Sequence, residues 1–340
     1  MQIRIVELYQ IYFQNNSFVN YVRNKNADFD VFWFYKQKPK RLFSNKREVI
    51  LQAAHSFLIA LINIRGFRDK KILCFGGHYA LLLITRLFGP FLGNDYHLYI
   101  YNFYLHKLGN NKLIKKILNF LFYTKYLTII VQSSFELNYY KTLSKNDVYF
   151  IPYCEDPEFV LYESQFSDTK YLFTGGYTNR DYNLIIECAR LNPSVRFVVV
   201  VSELNKDLER DKLPDNIILY CNIDLEAFNG LMARSFGVVV PLKEDVGASG
   251  QMLCIGAMKM SKPIIYCNIS SVSYYFSDNN FGIPYSLGDL DSLNGAVNKL
   301  FSKDFDPGGL GKKAYHHYLE NFTLNKRNEM LLDIIMNQKL

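Results

Sequence analysis

Two segments in the second half of this 340-residue chain carry residue types suited to holding an oxyanion. The first is K-Y-L-F-T-G-G-Y-T-N-R, residues 170–180. An apolar run ends in Gly175 and Gly176, and Arg180 follows as a helical pattern begins. Glycines let backbone N–H groups approach an anion closely, and a guanidinium forks onto phosphate. The second is V-V-V-P-L-K-E-D-V-G-A-S-G-Q, residues 238–251, in which a buried-strand pattern gives way to a polar loop. Ser249, Gly250 and Gln251 then open an apolar helix. A helix start presents unpaired N–H groups and the positive end of its dipole. That dipole is worth only about 0.3–1 kcal/mol at a surface, so a side chain such as Arg180 must add to it. Ser249 also suits the plainer role of a helix cap.

In the first half, His78 is the best-placed acid–base group. It follows the apolar run K-I-L-C-F in a G-G-H turn, where an imidazole can act as general base or orient a hydroxyl. Helix capping or packing is the competing role. His106 and Asp95 are second choices, His55 falls in a helical pattern, and His316 and His317 fall in a polar tail. Three D-x-D pairs, Asp28/Asp30, Asp289/Asp291 and Asp304/Asp306, have the form of a metal motif. The first comes before the second strand, the second sits where a helix cap is expected, and the third lies in a Pro/Gly-rich loop, so no metal site is assigned.

The elements that must position these residues alternate in type. Strand patterns at 3–9, 30–35, 71–75, 95–101, 127–132 and 148–152 are separated by helical patterns at 47–62, 79–88, 111–124 and 134–143. The alternation restarts with strands at 170–174, 196–201, 216–220, 237–241 and 263–267, and helices at 180–191, 225–234, 249–261 and 290–301. Strands alternating with helices imply parallel sheets covered on both faces. The expectation is α/β: two doubly wound Rossmann-like domains, at 1–155 and 169–310. A hinge at 156–168 joins them, and C-terminal crossover helices at 311–340 return toward the first domain. In such sheets ligands bind beyond the carboxyl ends of the strands.

Composition sets the class. Hydrophobic residues are 49% and charged residues 21%, which excludes a disordered chain. The six cysteines are scattered without a C-x-x-C pair and read as reduced core residues of a cytoplasmic protein. No signal peptide and no membrane-spanning helix are expected. The net charge of +7 is unevenly held: residues 1–160 carry 21 Lys and Arg against 11 Asp and Glu, and the remainder 18 against 21.

Several segments together resemble the GT-B glycosyltransferases, and family 4 (group 1) among them. R-D-Y-N-L-I-I places Arg180 where that family has a basic residue opening a helix. V-V-V-P-L, then Ala257-Met258, then K-P-I-I at 262–265 follow in the family's order. Upstream, I-I-V-Q-S-S-F-E and F-I-P-Y-C-E-D-P-E-F are similar to the stretch before its interdomain linker. The likeness covers residues 127–340 well and 1–126 poorly. The family's two glutamates are missing: Ala248 and Gly256 fall at their positions, and Glu244 is the nearest acid. The resemblance implies transfer of a sugar from a nucleotide-sugar to a saccharide or polyprenyl-linked saccharide acceptor, with retention and without metal or other cofactor. The donor diphosphate would rest on Gly175, Gly176, Arg180, Ser249, Gly250 and Gln251, with Glu244 beside it and the base near Tyr220 and Asn222. Asn15, Asn16, Ser17 and His106 would face the acceptor, with His78 as the catalytic group.

Two basic segments suggest a place for the acceptor. Residues 36–47 are dense in lysine and arginine, and residues 112–126 mix lysines with Leu, Ile and Phe on one helical face. Such segments can rest on an anionic bilayer, here the inner face of the plasma membrane. A GT-B-fold nucleotide-sugar epimerase and a non-catalytic binder of carbohydrate or nucleic acid are the alternative readings. The first would need more acids and histidines in the first half than it has, and no nucleic-acid motif accompanies the basic charge.

Overall fold

The computed structural model describes residues 2–9, 16–35, 46–76, 78–102, 112–143, 147–156, 170–203, 205 and 212–337. Contacts divide the chain into two units, Met1–Pro152 with Arg327–Leu340, and Tyr153–Lys326. The expected hinge lies outside the described residues from 157 onward.

The first unit runs β1 (Gln2–Tyr9), α1 (Ser17–Asn24), β2 (Phe29–Tyr35), α2 (Lys46–Ile62), β3 (Lys70–Phe75) and α3 (Tyr79–Phe88). It continues with β4 (His97–Tyr101), α4 (Lys112–Phe122), β5 (Leu127–Val131), α5 (Ser134–Leu143) and β6 (Val148–Phe150). The sheet order is β2-β1-β3-β4-β5-β6, all parallel. The chain's last helix, α11 (Leu324–Asn337), belongs to this unit from Arg327 onward, and its Leu331 and Ile335 pack with Ile3, Ile5, Val19 and Tyr99. Of the segment 311–340 expected to return, the part from Arg327 onward belongs to this unit and 311–326 to the second.

The second unit runs β7 (Tyr171–Gly175), α6 (Tyr182–Leu191), β8 (Arg196–Val201), β9 (Ile217–Cys221), α7 (Leu225–Arg234) and β10 (Gly237–Val240). Then come α8 (Gln251–Lys259), β11 (Ile264–Cys267), β12 (Ile283–Tyr285), α9 (Leu290–Phe301) and α10 (Pro307–Asn321). Its order is β12-β11-β10-β7-β8-β9, again all parallel.

The central strands are built as buried parallel strands must be. L-T-I-I-V, G-V-V-V and I-I-Y-C are buried at every position, because helices cover both faces of each sheet. β-branched side chains fill those faces, and burying each Val or Ile contributes about 1.5–3 kcal/mol. Five of the six cysteines are fully buried, and the sixth, Cys221, is half-buried. One acid of each of the three D-x-D pairs has structural work. Asp30 holds Arg4 and Lys70 at the start of β1 and β3, with Nε–Oδ1 2.9 Å and Nζ–Oδ2 2.6 Å. Burial pushes the Asp30 carboxyl up, but hydrogen bonds from Arg4 and Lys70 outweigh it and hold the group below its usual range. Asp289 caps α9 and Asp306 caps α10.

Two elements depart from the sequence reading. No helical pattern was read between the strands at 3–9 and 30–35, yet Ser17 begins helix α1, capped by Asn16. The short strand β12 was not foreseen; three residues, I-P-Y, are too few to show periodicity. Among the described residues no helix is long and apolar enough to cross a membrane.

Helix α10 is set tightly on the turn after α8. A Cβ on Gly311 would lie 1.9 Å from the Ser261 carbonyl oxygen, a backbone atom that cannot swing away. Gly311→Ala is therefore expected to lower stability by about 2 kcal/mol, read as an earlier midpoint in urea unfolding. An unchanged midpoint would show that α10 shifts freely.

Candidate functional site

The second sheet reverses direction between β7 and β10. From β7 the chain winds outward through β8 and β9, and from β10 through β11 and β12. Such a reversal, beyond the carboxyl ends of the strands, is the usual ligand position in a doubly wound sheet. The loops that end there are 176–181 and 241–250, the two segments singled out in the sequence.

They are locked together by hydrogen bonds. Arg180 and Leu242 form an antiparallel bridge, and the Asp181 amide donates to the Pro241 carbonyl at 3.2 Å. Asn179 makes the tightest link. Its Nδ2 donates to the Glu244 carbonyl at 2.8 Å, and its Oδ1 accepts from the Glu244 amide at 3.0 Å. Its own carbonyl accepts from the Lys243 amide at 3.3 Å. Asn179 holds φ at 54°, a left-handed conformation that asparagine tolerates. Asp245 ties the second loop to the segment after β11, its Oδ1 accepting from Ser270 Oγ at 2.8 Å and its Oδ2 from the Ser270 amide at 3.1 Å.

Within this frame lies Arg180. Its Nε donates to the Gly175 carbonyl at 3.1 Å and its Nη1 to the Thr178 carbonyl at 2.9 Å. Both partners are neutral, and no carboxylate pairs with it among the described residues. Burial pushes its pKa down from the ordinary value. Gly176 sits at φ 138°, and a Cβ there would fall 2.6 Å from the Arg180 Nη2. A glycine is required both by the backbone and by the guanidinium lying over it. Tyr182 steadies the same turn, its hydroxyl donating to the carbonyls of Gly176 and Val200.

Helix α8 begins directly after the second loop with an open end. Its N-cap is Gly250 at φ 83°, without a side-chain cap. Ser249 does not cap; its Oγ donates to the Val246 carbonyl at 3.0 Å. Gln251 is buried, its Nε2 reaching the Ser271 carbonyl at 3.4 Å. Two hydroxyls in this part of the unit, Thr174 Oγ1 and Ser271 Oγ, are buried without a hydrogen-bond partner.

The structure thus brings Gly175, Gly176, Arg180, Glu244, Ser249, Gly250 and Gln251 into the two locked loops. Tyr220 and Asn222 stand apart on edge strand β9 and the turn after it, two strands from β7. Tyr220 is half-exposed, and the Asn222 Oδ1 accepts from the Glu203 amide. Glu244 is anchored by its backbone and points an exposed side chain to solvent. At Gly256 a Cβ would meet the Met232 methyl at 2.9 Å, so a methionine occupies the space an acidic side chain would need.

In the first unit the corresponding reversal falls between β1 and β3. His78 precedes α3 there, buried, with its ring 5.7 Å from Phe34 at 24°. Burial drives its pKa down to about 4, against a hydrogen bond to the Phe75 backbone, so the ring is neutral at physiological pH. Asn16 caps α1 and donates from Nδ2 to Glu7 Oε1 at 2.9 Å, and Ser17 Oγ accepts from Arg327. Asn15 and His106 lie outside the described residues.

Glu7 was not foreseen. It is 7% exposed in the middle of β1, and burial raises its carboxyl to about 7 against the hydrogen bond from Asn16. The signal was a lone acid in the alternating run I-R-I-V-E-L-Y, on the inward side shared by Ile3 and Ile5. Phe34 packs in the other cluster, with Val6 and Cys74. The sheet therefore separates Glu7 from the His78–Phe34 pair.

No family model matches this chain, and no curated protein does. Solved structures do. The chain is similar to sucrose-phosphate synthase from Thermosynechococcus elongatus at 12% identity, over 99% of this chain and 98% of that one, with TM-score 0.71. It is similar to a glycosyltransferase from Rickettsia africae at 14% identity, over 99% and 98%, with TM-score 0.67. It is also similar to HepE from Anabaena, solved in complex with UDP-glucose, at 11% identity over 99% and 100%, with TM-score 0.67. The fold is GT-B, the architecture these glycosyltransferases share.

The raised Glu7 carboxyl has a consequence for stability. The folded state holds its proton to about pH 7, whereas the unfolded chain releases it near 4.5. This contribution is present in full below pH 4.5, is lost as pH rises toward 7, and is flat above. Glu7→Gln should leave the urea midpoint unchanged at the lowest pH and raise stability at pH 8 by about 3 kcal/mol. An equal effect at both pH values would show that the carboxyl is not protonated in the fold.

Proposed function

We propose that this protein is a glycosyltransferase that moves a sugar from a nucleotide-diphosphate sugar to a hydroxyl of a saccharide or lipid-linked saccharide, in bacterial surface polysaccharide or glycolipid assembly. One observation carries the reading: Arg180 is a half-buried guanidinium with only carbonyl partners, held at the reversal point of the second sheet beside an uncapped helix end. A buried cation without an anion is costly, and the fold holds it where a diphosphate would supply the missing charge. The GT-B fold, and the nucleotide-sugar that HepE binds in that fold, support the same assignment. The likeness to family 4 rests on the motifs of residues 127–340.

The mechanism follows from charge. As the glycosidic bond to the nucleotide breaks, the leaving diphosphate gains negative charge. Arg180 and the backbone N–H groups of Gly250 and Gln251 meet that charge as it forms, and fixed donors in a dry site cost no reorganisation. In this reading these groups do the work that a metal does elsewhere. Tyr220 and Asn222 take the base. His78, neutral and bonded to the Phe75 backbone, is proposed to accept a proton or a hydrogen bond from the acceptor hydroxyl through its other ring nitrogen. Asn15, Asn16, Ser17 and His106 are proposed for the acceptor side, and transfer is proposed to retain configuration. The protein works in the cytoplasm, peripherally on the inner face of the plasma membrane.

Thermal unfolding with UDP, GDP, ADP and CMP tests the reading. One nucleoside diphosphate should raise the melting temperature, corresponding to ~2.7 kcal/mol at a hundredfold excess over Kd. Arg180→Ala should abolish that shift, and in turnover should cost about 100-fold or more in kcat/KM. Stabilisation by none of the four would overturn the assignment.

A further inference from the structure

We propose that the first unit holds a binding site for an anionic oxygen group, a carboxylate or a phosphate ester, carried by the acceptor saccharide, and that Arg327 of α11 is the residue that takes it. That the saccharide is an acceptor rests on the transferase reading; the site is built from the first unit alone.

Parallel strands bring their carboxyl ends to one edge of the sheet. Helices α1 and α11 cover one face of it, packing on Ile3, Ile5, Leu73, Tyr99 and Ile130. Two residues further along each strand, the same face reaches that edge with Glu7, Phe75, Tyr101 and Gln132, on the neighbouring strands β1, β3, β4 and β5 and the residue after β5. The Gln132 Nε2 donates to the Tyr101 hydroxyl at 2.6 Å, and the Phe75 and Tyr101 rings meet edge to face at 5.7 Å. Ser17 opens α1 at this edge, and Arg327 lies one turn into α11.

Arg327 is half-buried and drawn onto this row. Its Nη2 donates to Asn328 Oδ1 at 2.8 Å and to Ser17 Oγ, its Nε donates to Asn328 Oδ1 at 3.1 Å, and its Cζ lies 5.8 Å from the centre of the Tyr101 ring. Its Nη1 has no hydrogen-bond partner among the described residues. Asn328 is 1% exposed and shares the buried side of α11 with Leu331 and Ile335. A buried amide must be bonded, and this one spends its oxygen on holding the guanidinium. An arginine beside it on the helix has the reach to extend into water; here it is folded back and aimed instead.

The charge so held is unanswered. Both partners are neutral, and no carboxylate pairs with Arg327 among the described residues. Glu7 accepts from Asn16 Nδ2, and Glu136 accepts from the Gln132 amide at 3.4 Å. Glu329 and Asp333, further along α11, act on the Tyr21 hydroxyl in α1. The helix adds to the imbalance. A cation is favoured at the close of a helix and disfavoured at its start, and the first turn of α11 carries no acid. Lys71 shows the matched arrangement in the same unit, donating to the Ile335 carbonyl near the close of that helix. A plain tie between α1 and α11 needs no charge, since an amide side chain bonds a serine equally well. A guanidinium oriented by neutral acceptors, at the positive end of a helix, is matched by an anionic oxygen that takes Nη1. Half-buried Phe75, between Phe18 and Tyr101, offers an apolar ring to the sugar that carries the acid.

Calorimetric titration of the full chain carrying Arg180→Ala, which removes the other guanidinium held by neutral acceptors, isolates the site. Glucose 6-phosphate and glucuronate are the probes, with glucose as the neutral control and inorganic phosphate as the free ion. At least one acidic sugar should bind, and which one binds tells a phosphate site from a carboxylate site. Glucose and inorganic phosphate should bind about tenfold more weakly or worse. Adding Arg327→Gln should weaken the acidic sugar about 10- to 100-fold, the effect of losing a hydrogen bond to a charged group. Where that variant melts early, Arg327→Lys keeps a cation without the planar fork and should weaken binding about tenfold. Failure of both acidic sugars to bind, binding that either substitution leaves unchanged, or inorganic phosphate binding as tightly as glucose 6-phosphate overturns the proposal. The titration contains no nucleotide. Acidic-sugar binding in a protein that no nucleoside diphosphate stabilises would therefore overturn the transferase reading and leave the Arg327 site standing.

Discussion

A guanidinium whose only partners among the described residues are carbonyl oxygens is the constraint around which the second unit is arranged. Arg180 bonds the Gly175 and Thr178 carbonyls, which orient it but leave its charge unanswered. Keeping it there demands a backbone that does not retreat. Gly176 must lie flat beneath it, Tyr182 must hold that turn, and Asn179 must fasten the neighbouring loop through both faces of its amide. Helix α8 adds a second positive element of the same sign, since Gly250 caps it without a side chain. Two like-signed elements held close raise the local potential, and only a rigid frame sustains that without an anion.

The first unit solves the opposite problem. Two of its buried titratable groups are shifted toward neutrality by burial. Glu7 is pushed up to about 7 and His78 down to about 4, each against a single hydrogen bond. Lys71 is the exception, and it is met by the Ile335 carbonyl at the end of α11, where a cation complements the helix terminus. The crossover helix is thus fixed at both ends in the first unit, by Lys71 at its close and by Arg327 on Ser17 near its start. The net basic charge of this half is then carried on its outside, which is where the Arg65, Arg68 and Arg86 side chains lie.

Most of this was legible in the chain because buried parallel strands write themselves as unbroken apolar runs. R-F-V-V-V-V falls at 196–201 in both sequence and structure, as does the helix at 225–234. What escaped was short or depended on tertiary context. Helix α1 has eight residues and a polar start, so N-N-S looked like a loop until Asn16 was seen to cap it. Strand β12 exists because β11 offers it an edge. Ser249 looked like a cap by residue type, but the left-handed Gly250 takes that position and turns the serine back on its own loop. Glu7 was visible only as a broken alternation, and its meaning required knowing that α1 closes over it.

The absent glutamates are the clearest case where packing explains what the sequence only marks. Met232 from α7 fills the space beside Gly256, its methyl 2.9 Å from where a Cβ would stand. Helix α8 therefore carries no acid anywhere along Q-M-L-C-I-G-A-M-K. The nearest acid, Glu244, is held by its backbone and directs its side chain to solvent. With no carboxylate on that helix, nothing in α8 offsets Arg180, and the site is more positive than one built with the pair. A site of that sign favours an anionic ligand over a neutral one.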